Sequence, residues 1–253
     1  MTDASPGSLA FLLVAGLVAG AVNAAAGGGS LLVFPSLLAV GLPPLAANVT
    51  NSIAQWPGYL GIITGARRDL HGQGRRILLT SAVSVVGSAV GCTLLLVLPS
   101  AVFDTVVPVL VLLASGLFAL QPLIRGWTAP TPGMPDRLGT LLPTVFLAAV
   151  YGGYFGGALG VILIATLSLF AHDSLVRLNA LKGLLSLVVA SVTVVYFAIG
   201  APVDWLAVAA LAPTTLVGGY VGARVARKSP ERVLRGAVVL LGTAVGVYLL
   251  LTP

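Results

Sequence analysis

The sequence predicts an all-α, polytopic integral membrane protein made of two inverted-topology repeats, each a glycine-broken helical hairpin followed by three transmembrane helices. Three observations carry that prediction. Of the 253 residues, 58% are hydrophobic and only 8% are charged, a balance outside the range of soluble globular domains. Two glycine clusters each accompany an apolar run too short to cross a bilayer. Landmarks of the first part of the chain recur in the second at a nearly fixed spacing.

The elements follow in order. Apolar stretches run from Leu9 to Ala26, Leu31 to Val40, Asn48 to Gly65, Ile77 to Leu98, Val102 to Leu123, Leu138 to Gly157, Val161 to Ala171, Leu178 to Gly200, Val203 to Ala223 and Val233 to Leu251. Most approach the roughly 20 residues that a helix needs to span a membrane. Leu31 to Val40 and Val161 to Ala171 do not, and can only be half-length, re-entrant or strongly tilted pieces. Gly27, Gly28 and Gly29 precede the first, and Gly156, Gly157 and Gly160 precede the second. The leader MTDASPGS carries Asp3 and no Lys or Arg, the opposite of a secretory n-region, so the first stretch is expected to be retained. A single cysteine, Cys92, lies in an apolar segment and excludes an internal disulfide framework or a four-thiolate metal site.

The repeat is expected over residues 1–124 and 138–253, joined by a Pro-rich cytoplasmic linker at 125–137 that contains WTAPTPGMPD. Gly16 and Gly20 match Gly152 and Gly156, Asn48 matches Asn179, and GARRD from Gly65 matches GAPVD from Gly200. The GxxxG pair Gly87 and Gly91 matches Gly218 and Gly222, a spacing that lets helix backbones approach closely in lipid. Charge orients the halves. If each glycine break is a hairpin that enters and returns, all thirteen Lys and Arg residues fall on the cytoplasmic side, as the positive-inside rule requires. If each break instead crosses once, Arg177 and the cluster from Arg224 to Arg235 fall outside. The hairpin reading therefore stands, and it inverts one half relative to the other, with both termini outside.

The break at AAAGGGSLLVFP, Ala24 to Pro35, is expected to line a cavity, because irregular backbone at membrane depth survives only where protein or water satisfies it. Helix N-termini near Ser30 and Val161 would turn N–H groups and positive dipole ends toward that cavity, which favours anions. Tight helix packing is the plainer reason for the glycines. In NVTNSIAQW, Asn48, Asn51, Ser52 and Gln55 share one helical face, and the repeat aligns them with Asn179, Lys182, Gly183 and Ser186. The expected substrate site therefore comprises Gly28, Gly29, Ser30, Asn48, Asn51, Ser52, Gln55, Asn179, Lys182 and Ser186. An ammonium at Lys182 among apolar neighbours needs an anion, a carbonyl or water, unless it snorkels to the interface. Trp56 and Tyr59 are candidates to border the path, whereas His172 and Asp173 read as a solvated turn.

No carboxylate lies deep in an apolar segment, so proton or sodium coupling through an intramembrane acid is not expected. With two His, one Cys and seven acidic residues, and without a Walker, GxSxG or HExxH motif, the chain is not expected to be an enzyme. No metal or other cofactor is called for. The expected partners are a small anion and the lipid bilayer of a cell membrane, the inner membrane in a bacterium; nucleic acid is excluded despite the net charge of +6, and a homo-oligomer stays open. An anion channel and a structural membrane subunit are the rival readings.

The segment AGLVAGAVNAAAGGGSLLVFPSLLAVGLPPLAANVTNS, together with RLNALKGLLS in the second half, resembles the TauE/SafE sulfite exporter family over nearly the whole chain. The resemblance implies two related halves and transport of sulfite, sulfonates or related small anions, generally outward. It singles out Gly27, Gly28, Gly29, Pro35, Asn48, Thr50, Asn51 and Ser52, with Asn179 and Lys182. Many members carry a threonine-serine pair where Leu181 and Lys182 stand here.

Overall fold

A computed structural model describes residues 5–127, 136–225 and 231–251. Among the described residues the chain forms ten α-helices and no strand. They are α1 (Pro6–Ala26), α2 (Ser30–Ala39), α3 (Pro44–Ala66), α4 (Gly74–Val97), α5 (Ser100–Trp127), α6 (Leu138–Tyr154), α7 (Leu159–Phe170), α8 (Leu175–Gly200), α9 (Trp205–Val225) and α10 (Glu231–Leu251). Five of them, α1, α4, α5, α8 and α9, are long and apolar enough to cross a membrane. The two short pieces fall at the glycine clusters, as expected, with α7 starting two residues earlier than the apolar run. At about 1.5 Å per residue, α2 and α7 reach only about halfway across a bilayer. Helix α5 runs on to Trp127, into the expected linker; residues 128–135 of that linker and 226–230 of the basic cluster lie outside the described residues.

Local chemistry explains the ends of the first break. The Ser5 side chain accepts the Ser8 N–H and Pro6 opens α1, the usual start signals. Gly27 closes α1 in the left-handed region at φ 81°, its N–H on the Asn23 carbonyl, where a side chain would be strained.

Small residues set the packing. Helix α1 lies along α9, with Gly218 against the Leu17 carbonyl and Gly222 against Ala21. Helix α4 lies along α6 in the same way, Gly91 against the Val150 carbonyl and Gly153 against Ser88. Both GxxxG pairs thus sit where backbones touch. Gly20 likewise meets Gly219. Across the centre, Trp56 of α3 donates its indole N–H to Ser191 of α8 at 2.9 Å, while Ile62 meets Gly183, so these two helices run antiparallel. Gly242 meets Ser115 and Gly246 meets Leu112, so α5 and α10 are antiparallel as well.

At one end of the bundle the turn between α3 and α4 is clamped by charge. The Arg76 guanidinium grips Asp136 through two bonds of 2.7 Å and reaches Asp173 at 2.9 Å. Asp173 also accepts from Arg177, which donates to the His71 carbonyl. Asp173 is therefore no solvated turn residue; it ties the entry of α8 to α4. Burial is the largest single influence and would raise the Asp136 and Asp173 carboxyls, but hydrogen bonds from Arg76, backbone N–H donors and, for Asp173, Arg177, together with the neighbouring positive charge, sum to more and hold both below the usual carboxylate range.

Candidate functional site

The two breaks meet in the middle of the bundle. A Cβ on Gly160 would stand 2.7 Å from the Gly27 Cα, so backbone lies directly on backbone. Between the halves is a small cavity, partly open. Helical spacing decides what lines it. From the first half come Ser30, at the start of α2, and Ser52, Gln55 and Tyr59 from one face of α3. The second half presents Phe155, Gly156 and Leu159 at the α6–α7 break and Ser186, Val189, Ala190 and Thr193 along α8. One wall is thus polar, and the other is largely apolar.

A buried hydrogen-bond network stands behind the polar wall. Gln55 Nε2 donates to Ser30 Oγ at 3.2 Å and to Asn51 Oδ1 at 3.3 Å. Gln55 Oε1 accepts from Asn23 Nδ2 at 3.2 Å. Elsewhere Thr193 turns its hydroxyl onto the Ala190 carbonyl and Ser52 turns its own onto the Asn48 carbonyl, so both spend their donors within their helices.

Of the residues expected from sequence, Ser30, Ser52, Gln55 and Ser186 line the cavity. Asn51 stands behind it on Gln55, and Gly29 leaves room for Asn23 and Gln55, since a Cβ there would meet both. Gly28 packs under the Phe118 ring. Asn48 is fully buried and donates to the Tyr154 carbonyl at the end of α6, which ties the first half to the second break. Asn179 and Lys182 lie on α8 outside the lining. Lys182 is only 4% exposed, enclosed by protein and one turn from Ser186 on the same face. The N-termini of α2 and α7 show fewer free donors than expected: Leu31, Leu32 and Val161 turn their N–H groups back onto Gly28, Gly29 and Ala158.

Asn23 was not singled out by sequence. A lone asparagine inside the first apolar stretch is a signal, because buried amides in membrane helices need partners. Phe155, which also lines the cavity, stacks edge-on with Phe34 and has no sequence signature of its own. Among the described residues no cluster of His, Cys, Asp or Glu could hold a metal ion. The cavity offers hydroxyl and amide groups and a hydrocarbon wall, which can bind and pass a solute.

A polytopic helical bundle with two broken hairpins around a central polar cavity is the architecture of a membrane transporter. The Sulfite exporter TauE/SafE family profile matches residues 12–249, and the chain belongs to that family. A probable membrane transporter protein, ORF9, from Sinorhizobium sp is 26% identical, covering 100% of this chain and 96% of the relative. A probable membrane transporter protein from Haemophilus influenzae is 28% identical over 95% and 94% of the two chains. The probable membrane transporter protein YfcA of Escherichia coli is 26% identical over 97% and 91%. The chain is accordingly a multi-pass membrane protein of the bacterial inner membrane type.

Proposed function

We propose that the protein carries a small anion, sulfite or an organosulfonate or carboxylate of similar size, outward across the membrane by alternating access. The observation that carries this reading is the cavity itself, which draws Ser30, Ser52 and Gln55 from one half and Ser186 from the other. Hydroxyl groups oriented by the buried amides in a low-dielectric site hold an anion without a counter-charge on the lining, and the enclosed Lys182 ammonium adds positive potential from one turn away. Corresponding helices that run antiparallel, α3 against α8 and α5 against α10, support two inverted halves rocking about the cavity. The positive-inside rule then puts the Arg76 end in the cytoplasm. An inside-negative potential drives an anion outward by about 2.3 kcal/mol per charge per 100 mV, so no intramembrane carboxylate is required.

The test is flux in proteoliposomes across sulfite, sulfate, thiosulfate and ethanesulfonate, comparing the parent with Lys182→Ala. Saturable flux with counterflow, weakened in the variant, is expected. Non-saturating conductance would make it a channel, and absence of flux from folded protein would refute anion transport. Cysteines placed at Arg75 and Ala201 should label from opposite sides; labelling from one side would refute the inverted halves.

A further inference from the structure

We infer that Asn23, which does not touch the cavity, is the positioning residue that makes the polar wall a donor wall and so selects for anions. This deepens the anion-transport reading and rests on it. The inference follows from the direction of successive hydrogen bonds. Asn23 Nδ2 donates to Gln55 Oε1, which fixes one edge of the Gln55 carboxamide as the accepting edge and turns its NH₂ toward Ser30 and Asn51. A carboxamide has two donors and one acceptor oxygen, so both Gln55 protons are now committed. Ser30 Oγ receives one of them, which leaves the hydroxyl proton of Ser30 to point away from Gln55. Ser30 lines the cavity, and its proton is then available to a bound solute.

The packing around Asn23 is consistent with this role. Asn23 is 4% exposed, so its amide cannot trade partners with water. A Cβ on Gly29 would stand 2.8 Å from the Asn23 Cβ and 3.0 Å from Gln55 Oε1, so the glycine immediately before α2 makes the space in which the two amides meet. Reversing the first bond reverses the rest. An ionised aspartate at position 23 can only accept; Gln55 would turn its NH₂ toward it and its oxygen toward Ser30, Ser30 would donate to that oxygen, and lone pairs would face the cavity.

The test uses the full-length protein in proteoliposomes with sulfite and ethanesulfonate as probes, comparing the parent, Asn23→Asp and Asn23→Ala. Losing a donor to a charged solute weakens binding about tenfold or more. Asn23→Asp is therefore expected to raise KM by about that factor at a nearly unchanged maximal rate. Asn23→Ala, which frees Gln55 without reversing it, should raise KM less while lowering Tm. A merely structural role predicts the opposite ranking, because aspartate keeps the shape that alanine removes. If Asn23→Asp does not fold, Gln55→Glu, which also abolishes the donor to Ser30, carries the same expected KM increase. A parent that moves the probes while Asn23→Asp and Gln55→Glu keep its KM, or while Asn23→Ala raises KM more than Asn23→Asp does, overturns the relay and leaves anion transport standing. A folded parent that moves neither probe overturns both.

Discussion

The two breaks lie against each other, yet they are built from different chemistry. Spacing that pairs Asn48 with Asn179 also pairs Gly29 with Gly160 and Gly27 with Ala158, and both members of the last pair are left-handed, at φ 81° and φ 55°. Gly27 closes α1 and Ala158 opens α7, so each break turns through the left-handed region at a different point. The first break carries Asn23, Ser30 and the amide of Gln55; the second carries Phe155 and Leu159 and is pinned internally by Tyr151, whose hydroxyl donates to the Gly157 carbonyl at 2.6 Å. Two breaks of different chemistry thus face one cavity. A solute with a polar head and a carbon tail has one favourable orientation in such a site, with its head on the α3 side.

The largest expected effect comes where the two breaks touch. Gly160→Ala drives a methyl into the Gly27 backbone, which cannot yield as a flexible side chain would; overpacking of this kind costs about 1–3 kcal/mol or more. A fall in Tm of about 5 °C or more, with little folded protein recovered, is the expected outcome by thermal unfolding in detergent. Parent-like stability would mean the breaks are not in backbone contact.

Next in size is the contrast between the walls. Gln55→Leu strips the polar wall and leaves Asn23 and Ser30 without their partner, at about 1–3 kcal/mol for buried groups. KM for a small inorganic anion should rise about tenfold or more, whereas Phe155→Leu should change it less than about threefold. Equal effects would show that both walls bind the head group. Weaker again is Tyr151→Phe, which removes one hydrogen bond worth about 1 kcal/mol from the second break. Its expected signature is a maximal rate lowered a few-fold at unchanged KM, because the loop is loosened while the polar wall is untouched.

Ala158→Gly has the smallest effect. Glycine relieves the left-handed backbone at φ 55° but widens the unfolded ensemble and gives up a buried methyl. Tm should stay within about 3 °C of the parent. The pH dependence sharpens the same comparison, because neither break contains a carboxylate. The Asp136 and Asp173 carboxyls are depressed when folded. Their contribution to stability is complete above the unfolded carboxylate range, about pH 4, and is lost only as pH falls through the lower folded values. Between pH 5 and 8, Tm should therefore hold constant as far as this cluster is concerned, and any change in KM should follow titration of the solute.

Much of the scaffold was legible in the residues because it depends on local quantities. Hydropathy located the helices, and the glycine clusters marked both short pieces to within two residues. The polar face of NVTNSIAQW led to Gln55, Ser52 and Asn51, since residues three and four apart share a helix face wherever the helix lies. Asp173 was misjudged because one of its partners, Arg76, arrives from α4, far away in the sequence, to join the local Arg177.

What the sequence by itself determined was the membrane as solvent, the number and order of the apolar elements, and the two places where a helix must stop. These follow from composition and from the backbone freedom of glycine, each a property of a short stretch. Only the tertiary structure decided that α1 packs on α9, that Asn23 therefore faces Gln55, and that Lys182 is enclosed behind the cavity instead of lining it. The ten described helices carry small residues on many faces, and lipid rewards no one pairing through hydrophobicity. The choice rests on close backbone fit and on satisfying each buried amide, both of which depend on residues far apart in the chain.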